Sequence, residues 1–322
     1  MYFNKTNSFY HGIMFHHFHD HQIHVKSQGS IDRDEFYKLI KFIGKENILD
    51  ASAFYEKLKN KSLRDKDVCF TFDDAIKCQI DVALPVLEDL NIKSFFFVYT
   101  SIFDGKPDNL EVFRFFRMNF FNNIDEFYKY FYSFLNRDYK KFLNQHDNEI
   151  KYRKSKYPFY SIEDIKFRLI RNNFLTKDEY QKIMFSMFSE KKFNPENIYE
   201  KLFFKKEDLR TLDNLGHIVG LHSHSHPTSL EKLNYSNQKD EYQKCISLIS
   251  EILERPKNTI KCMSHPCGSF NLDTLQVLKE LGIELGFKNL IQKQFLKNKN
   301  DDINSLQISR ANHSDIMSLI NK

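Results

Sequence analysis

Val68-Cys69-Phe70-Thr71-Phe72 is a short, continuous apolar run that ends on Asp73-Asp74. A run rich in β-formers and bounded by polar residues reads as a strand buried on both faces. A helix is expected from about Ala75 to Leu90, with Pro85 either kinking it or marking its start. Ile92 to Tyr99, centred on Phe95-Phe96-Phe97-Val98, is a second run of the same kind. Strand, helix and strand within roughly thirty residues make a βαβ unit, and hence a parallel sheet.

Further strands extend the pattern in both directions. Upstream, Gly12-Ile13-Met14-Phe15 opens onto His16-His17-Phe18-His19-Asp20, and Asp32 is positioned to cap a helix reaching Ile43. Downstream, Leu209, Leu212 and Leu215 share a helical face before Gly216, a C-terminal stop. His217-Ile218-Val219-Gly220-Leu221 then reads as a strand leading into His222-Ser223-His224-Ser225-His226-Pro227. Strands are also expected at Thr259–Met263, Ile283–Phe287 and Ile303–Ser309, with helices at Asn237–Leu253 and from the cap Asn271 to Leu281. Polar clusters follow the strands, as in Ser264-His265-Pro266-Cys267-Gly268 and Arg310-Ala311-Asn312-His313. This alternation describes a parallel barrel or a doubly wound sheet, whose active site lies at the carboxyl edge of the strands.

Residues 108–206 differ in character, with Phe and Tyr scattered among charges. Two capping boxes, Ser161-Ile162-Glu163-Asp164 and Thr176-Lys177-Asp178-Glu179, start helices there. A helical insertion covering one face of the barrel or sheet is expected, its aromatics serving mainly as core.

The whole chain narrows the function classes. Its 322 residues suffice for one large α/β domain, and 48 Lys and Arg against 43 Asp and Glu leave a net charge of only +5. The basic residues are interleaved with acids, so no nucleic-acid face is expected. No apolar run approaches the ~18 residues of a membrane span. Met1 to Asp20 lacks an apolar signal core, which predicts a cytoplasmic setting. Five cysteines without a CxxC pair read as reduced thiols. Nothing in the sequence indicates an oligomeric state.

The chemistry is concentrated in two motifs. In Asp73-Asp74 one carboxylate can bind a cation while the other takes a proton, although the pair would equally serve as a helix N-cap. His222 and His226 have i, i+4 spacing, which puts both imidazoles on one side of a helical turn with His224 facing away. Two histidines and a carboxylate suit one divalent ion: zinc first, with ferrous iron, cobalt and nickel as alternatives. His16 and His17, at a strand end, are expected to line the pocket and contact substrate.

Thr71-Phe72-Asp73-Asp74 and His222-Ser223-x-x-His226-Pro227 resemble the first two motifs of the polysaccharide deacetylase superfamily, the NodB-homology domain of carbohydrate esterase family 4. The approach from Leu209 to Ser223, the segment Leu87 to Phe96, and Ile13-Met14-Phe15-His16-His17 are similar to that family as well. The resemblance implies a distorted (β/α)7-type barrel over residues 1–322, with 108–206 inserted between the first and second metal motifs. It implies hydrolysis of acetyl groups on carbohydrates, with Asp74, His222 and His226 holding the metal and Asp73 acting as general base. Ser264 stands where the family's third motif usually has an Arg, and Arg310 is expected to supply that charge. The family's late histidine, the general acid, matches His313, with His265 as a rival donor or substrate contact. The expected substrate is an N-acetylated amino sugar or sugar conjugate, nucleotide- or lipid-linked and destined for a surface glycan. A deformylase or cyclic-amide hydrolase of the same fold, or a non-catalytic carbohydrate-binding relative, is the alternative. The spare carboxylate Asp73 counts against the non-catalytic reading.

Overall fold

Residues 11–27, 29–135, 138–156, 160–289 and 304–321 are described by a computed structural model. Seven parallel strands close into a barrel in chain order. They are β1 (Gly12–Phe15), β2 (Cys69–Asp73), β3 (Phe95–Val98), β4 (Ile218–Leu221), β5 (Cys262–Ser264), β6 (Leu285–Lys288) and β7 (Ile308–Asn312), with β7 pairing back onto β1. The fold is therefore the expected (β/α)7-type barrel. The last strand starts later than predicted: Ile303 lies outside the described residues, and Asn304–Leu306 forms a 3-10 turn before Ile308.

Period-two alternation sorts each strand into an inner and an outer row. Cys69, Phe95, Phe97, Cys262, Leu285, Phe287 and Ile308 form one buried cluster, closed by Ala51 and Phe54. Phe70, Phe72, Phe96, Val98, Val219, Leu221 and Met263, on the opposite parity, pack in a second cluster with helix residues such as Phe36, Leu39 and Ile246. The inner parity then runs on to Thr71 and Asp73 on β2, Ser264 on β5 and Arg310 on β7. Polar residues thus replace apolar ones in that row only near the strand ends.

Local signals explain the helices around the strands. Asp32 caps Arg33–Ile43 in a reciprocal box with Glu35. No helix starts at Ala75: Asp74 and Ala75 have φ of 76° and 51°, so the chain turns first. A π-turn, Gln79–Ala83, follows, and Pro85 sits in the first turn of Leu84–Asp89. Proline tolerates that position because its missing N–H has no partner there anyway.

The chain divides into two compact units, one carrying the barrel and a second formed by Asn109–Tyr199 with Val25–Gln28. The second unit is helical, with Phe116, Phe127, Phe131 and Phe167 fully buried. Thr176 and Glu179 make the predicted capping box in full. Ser161 caps its helix too, but Asp164 turns away from the cap. Its carboxylate accepts from the Tyr128 hydroxyl at 3.0 Å and from Arg168 Nε at 2.5 Å. Among the described residues no helix is long and apolar enough to cross a membrane. All five cysteines are free, and Cys267 alone among them is exposed.

Candidate active site

Two left-handed turns bring distant residues together at the carboxyl edge of the barrel. After β2, positive φ at Asp74 and Ala75 swings two consecutive carboxylates to different sides. Gln79 holds this turn: its Nε2 donates to the Asp73 carbonyl at 2.6 Å and to the His16 carbonyl at 3.0 Å. After β4, Ser223 and His226 have φ of 65° and 54°, so residues 222–226 form an irregular loop and not the expected helical turn. The i, i+4 spacing brings the imidazoles together through this loop's reversal. Glu241 fixes the loop by accepting from the backbone N–H groups of His224 and Ser225 at 3.0 and 2.8 Å. His224 does face away, with its Nδ1 3.0 Å from the Thr100 hydroxyl.

Asp74, His222 and His226 converge, each offering a ligand atom within 4.8 Å of the others. Asp74 Oδ1 lies 3.2 Å from His222 Nε2 and 3.3 Å from His226 Nε2. Each Nδ1 already faces an acceptor: the Ser264 carbonyl for His222 and Asp108 Oδ2 for His226, both at 2.8 Å. Both Nδ1 atoms therefore donate, so each ring in its neutral form directs its Nε2 lone pair at a carboxylate oxygen. Burial pushes His226 down, but Asp74 and Asp108 outweigh it and raise it well above its ordinary value. Asp74 Oδ1 is buried and has no hydrogen-bond partner. Three converging lone pairs repel one another unless a proton or a cation lies between them. Separations of about 3.3 Å are those of a tetrahedral site with bonds of about 2.0–2.1 Å, so the donor set fits a zinc-like ion. Burial pushes the Asp74 carboxyl up, but His226 and His16 outweigh it and hold it well below the usual range.

Asp73 is held quite differently. Arg310 grips it through two parallel bonds, Nη1 to Oδ1 at 2.8 Å and Nη2 to Oδ2 at 2.6 Å. Ser264 Oγ donates to Oδ2 at 3.1 Å, and Arg310 Nη1 also reaches Thr71 Oγ1 at 3.1 Å. Burial raises the Asp73 carboxyl, and the guanidinium more than offsets this, leaving it below its usual value. The charge expected from Arg310 is thus beside Asp73, across from Ser264. Gly12 makes room for it, since a Cβ there would stand 2.6 Å from Arg310 Cγ.

The remaining histidines separate by exposure. His16 Nε2 lies 3.6 Å from Asp74 Oδ2, and its side chain is 25% exposed. His17 is half-buried beside it, with ring centroids 6.2 Å apart. His265 is fully buried, bonded through Nε2 to the Leu306 carbonyl at 2.8 Å and stacked on Phe270. His313 is also buried, its Nδ1 and Nε2 facing the carbonyls of Met14 and Gly29 at 3.1 and 2.7 Å. Burial pushes His265 down to about 3 and His313 to about 4. Neither presents a free ring proton to the pocket.

Sequence reasoning missed Gln79, Asp108 and Glu241. All three act on backbone or on a histidine far away in the chain, and no local pattern marks them. A second cluster, His19, Asp32 and Glu35, also gathers ligand-type atoms. There one oxygen of each acid is used by the cap of Arg33–Ile43.

The polysaccharide deacetylase family model matches residues 174–286, a span that includes His222 and His226 but not Asp73, Asp74 or Arg310. No curated protein matches the sequence. IcaB from Ammonifex degensii is similar in structure, with a TM-score of 0.55 at 12% identity, covering 98% of this chain and 96% of that one. The Streptococcus pyogenes deacetylase PplD, solved in complex with acetate, gives 0.54 at 14% identity, covering 94% and 90%. The BpsB deacetylase domain of Bordetella bronchiseptica gives 0.51 at 13%, covering 95% and 96%. The chain is thus similar in sequence to polysaccharide deacetylases over residues 174–286 and shares the fold of these solved structures over nearly its whole length.

Proposed function

We propose that this protein is a metal-dependent hydrolase that removes an N-acetyl group from an amino sugar or sugar conjugate. One observation carries the reading: the convergence of Asp74, His222 and His226 beside a second carboxylate, Asp73, clamped by Arg310. A divalent ion held by the first three, zinc foremost, would supply Lewis acidity to the acyl carbonyl and lower the pKa of water. Asp73 is the general base, taking the proton of the attacking water on a carboxylate oxygen. Arg310 keeps Asp73 ionised until then, and Ser264 Oγ fixes its orientation. The departing amine needs a proton. His16 Nε2 is the donor best supported, because it is partly exposed and near Asp74 while both nitrogens of His313 face carbonyls. His17, next to it, is assigned to substrate contact.

The reading extends to a cytoplasmic, nucleotide- or lipid-linked amino sugar of a surface glycan. Acetate release from free, nucleotide-linked and lipid-linked N-acetyl amino sugars tests it, before and after chelation. Activity lost on chelation and restored by zinc is expected. Formate release from formylated analogues alone would shift the reading to a deformylase. Full turnover in protein shown metal-free by elemental analysis would overturn it.

A further inference from the structure

Asp108 belongs to no motif and lies more than a hundred residues from the histidine it touches, yet its Oδ2 is 2.8 Å from His226 Nδ1. Its own backbone N–H donates to the Tyr99 hydroxyl at 3.1 Å, and Tyr99, fully buried, packs its ring 5.2 Å from the His226 ring. The main chain that carries the carboxylate is therefore anchored beside the His226 ring. Its chain position is also distinctive: Asn109, the next residue, begins the helical unit.

From this geometry we infer that Asp108 is the positioning residue of the metal site, selecting the His226 tautomer that offers Nε2 to the ion. The inference rests on the proposed metal-dependent reading and deepens it. A carboxylate oxygen accepts, so Nδ1 must donate to it, and the lone pair is confined to Nε2, which faces Asp74 Oδ1 at 3.3 Å. The carboxylate also polarises the imidazole, making Nε2 a stronger donor to a cation. The two histidines differ here. His222 gives its Nδ1 proton to a neutral backbone carbonyl, that of Ser264, which no side-chain substitution removes. His226 depends on a side chain, so it is the ligand that a point mutation can detune without touching the ligand set. Asp108 contacts neither the reacting atoms nor the ion, and its effect passes entirely through His226.

Zinc affinity of the full chain, measured by competition with a chromophoric chelator, tests this without any substrate. Asp108→Asn is expected to weaken zinc binding about 10–100-fold. Asp108→Glu should recover most of that loss, and the visible spectrum of the cobalt-loaded protein should change in the Asn variant. A merely structural role would lower the Tm of the metal-free protein while leaving the zinc affinity and cobalt spectrum as in wild type, and that result would overturn the inference. The two readings fail separately. Wild-type protein that binds no zinc sinks the proposed function together with this inference, whereas tight wild-type binding matched by Asp108→Asn sinks the inference alone.

Discussion

The barrel edge and the helical unit are built on opposite plans. At the edge, the contacts among the charged and metal-type side chains span long stretches of chain: Asp73 with Arg310, Asp74 with His222 and His226, His226 with Asp108. Within Asn109–Tyr199 many contacts join residues a turn apart, such as Phe116 with Phe120, Phe127 with Phe131, and Arg168 with Asp164. Asp73, Arg310 and the Nδ1 atoms of His222 and His226 each have a partner fixed to the atom, so a change of charge that preserves volume is damaging there. In the helical unit apolar volume is shared among many rings, and shape matters more than the identity of any one atom.

Asp73→Asn presses hardest on this contrast. It is nearly isosteric but leaves the fully buried Arg310 without its counter-charge. Unfolding free energy should therefore drop by about 3–5 kcal/mol, while kcat for acetate release by the folded protein falls by about 10²- to 10⁴-fold, as loss of a general base implies. Retained turnover would remove Asp73 from the chemistry. The reverse experiment is Phe116→Ala in the helical unit, where a fully buried ring meets Phe188 at 4.6 Å. A loss of about 3–5 kcal/mol in unfolding free energy is expected from the cavity. Hydrogen exchange should place the loosening in Asn109–Tyr199, and protection lost first from the barrel strands would contradict the two-plan picture.

Acid should single out the barrel unit. Burial pushes His217 and His313 down to about 4 and His265 to about 3. Below about pH 6.5 the unfolded chain takes up protons at these positions while the folded chain does not. Stability is therefore full above pH 6.5 and falls as pH drops towards 4, by at most about 1.4 kcal/mol per pH unit for each histidine. Denaturant midpoints measured from pH 7 to 4.5 should show this, and a flat profile would mean these rings are protonated in the fold. The smallest effect belongs to Thr176→Ala, which removes a cap whose Oγ1 accepts the Glu179 N–H at 3.2 Å. It should cost about 1 kcal/mol, read as a Tm shift with acetate release unchanged.

The same contrast decides how much could be read in advance. Strands such as Phe95–Val98 and caps such as Asp32 and Thr176 are local patterns, and they are legible because the physics that forms them is local. Asp74, His222 and His226 were legible because their residue types restrict the chemistry, even though the expected helical turn between the histidines is a left-handed loop. Asp164 shows where a local pattern fails: the cap sequence is intact, but Tyr128 and Arg168 compete for its carboxylate. His313 matched a family position by order in the chain, while its burial depended on which carbonyls surround the first turn of the helix His313–Ile320. Gln79, Asp108 and Glu241 left no trace, because their partners are defined only by tertiary approach.

Gln79 carries one more implication. A single amide nitrogen spans the ends of β1 and β2, so the segment bearing His16 and the segment bearing Asp73 are hinged on the same pin. Shortening that side chain would let two arms of the proton relay drift independently. Damage to proton delivery and damage to proton removal would then arrive together, from a residue that meets neither proton.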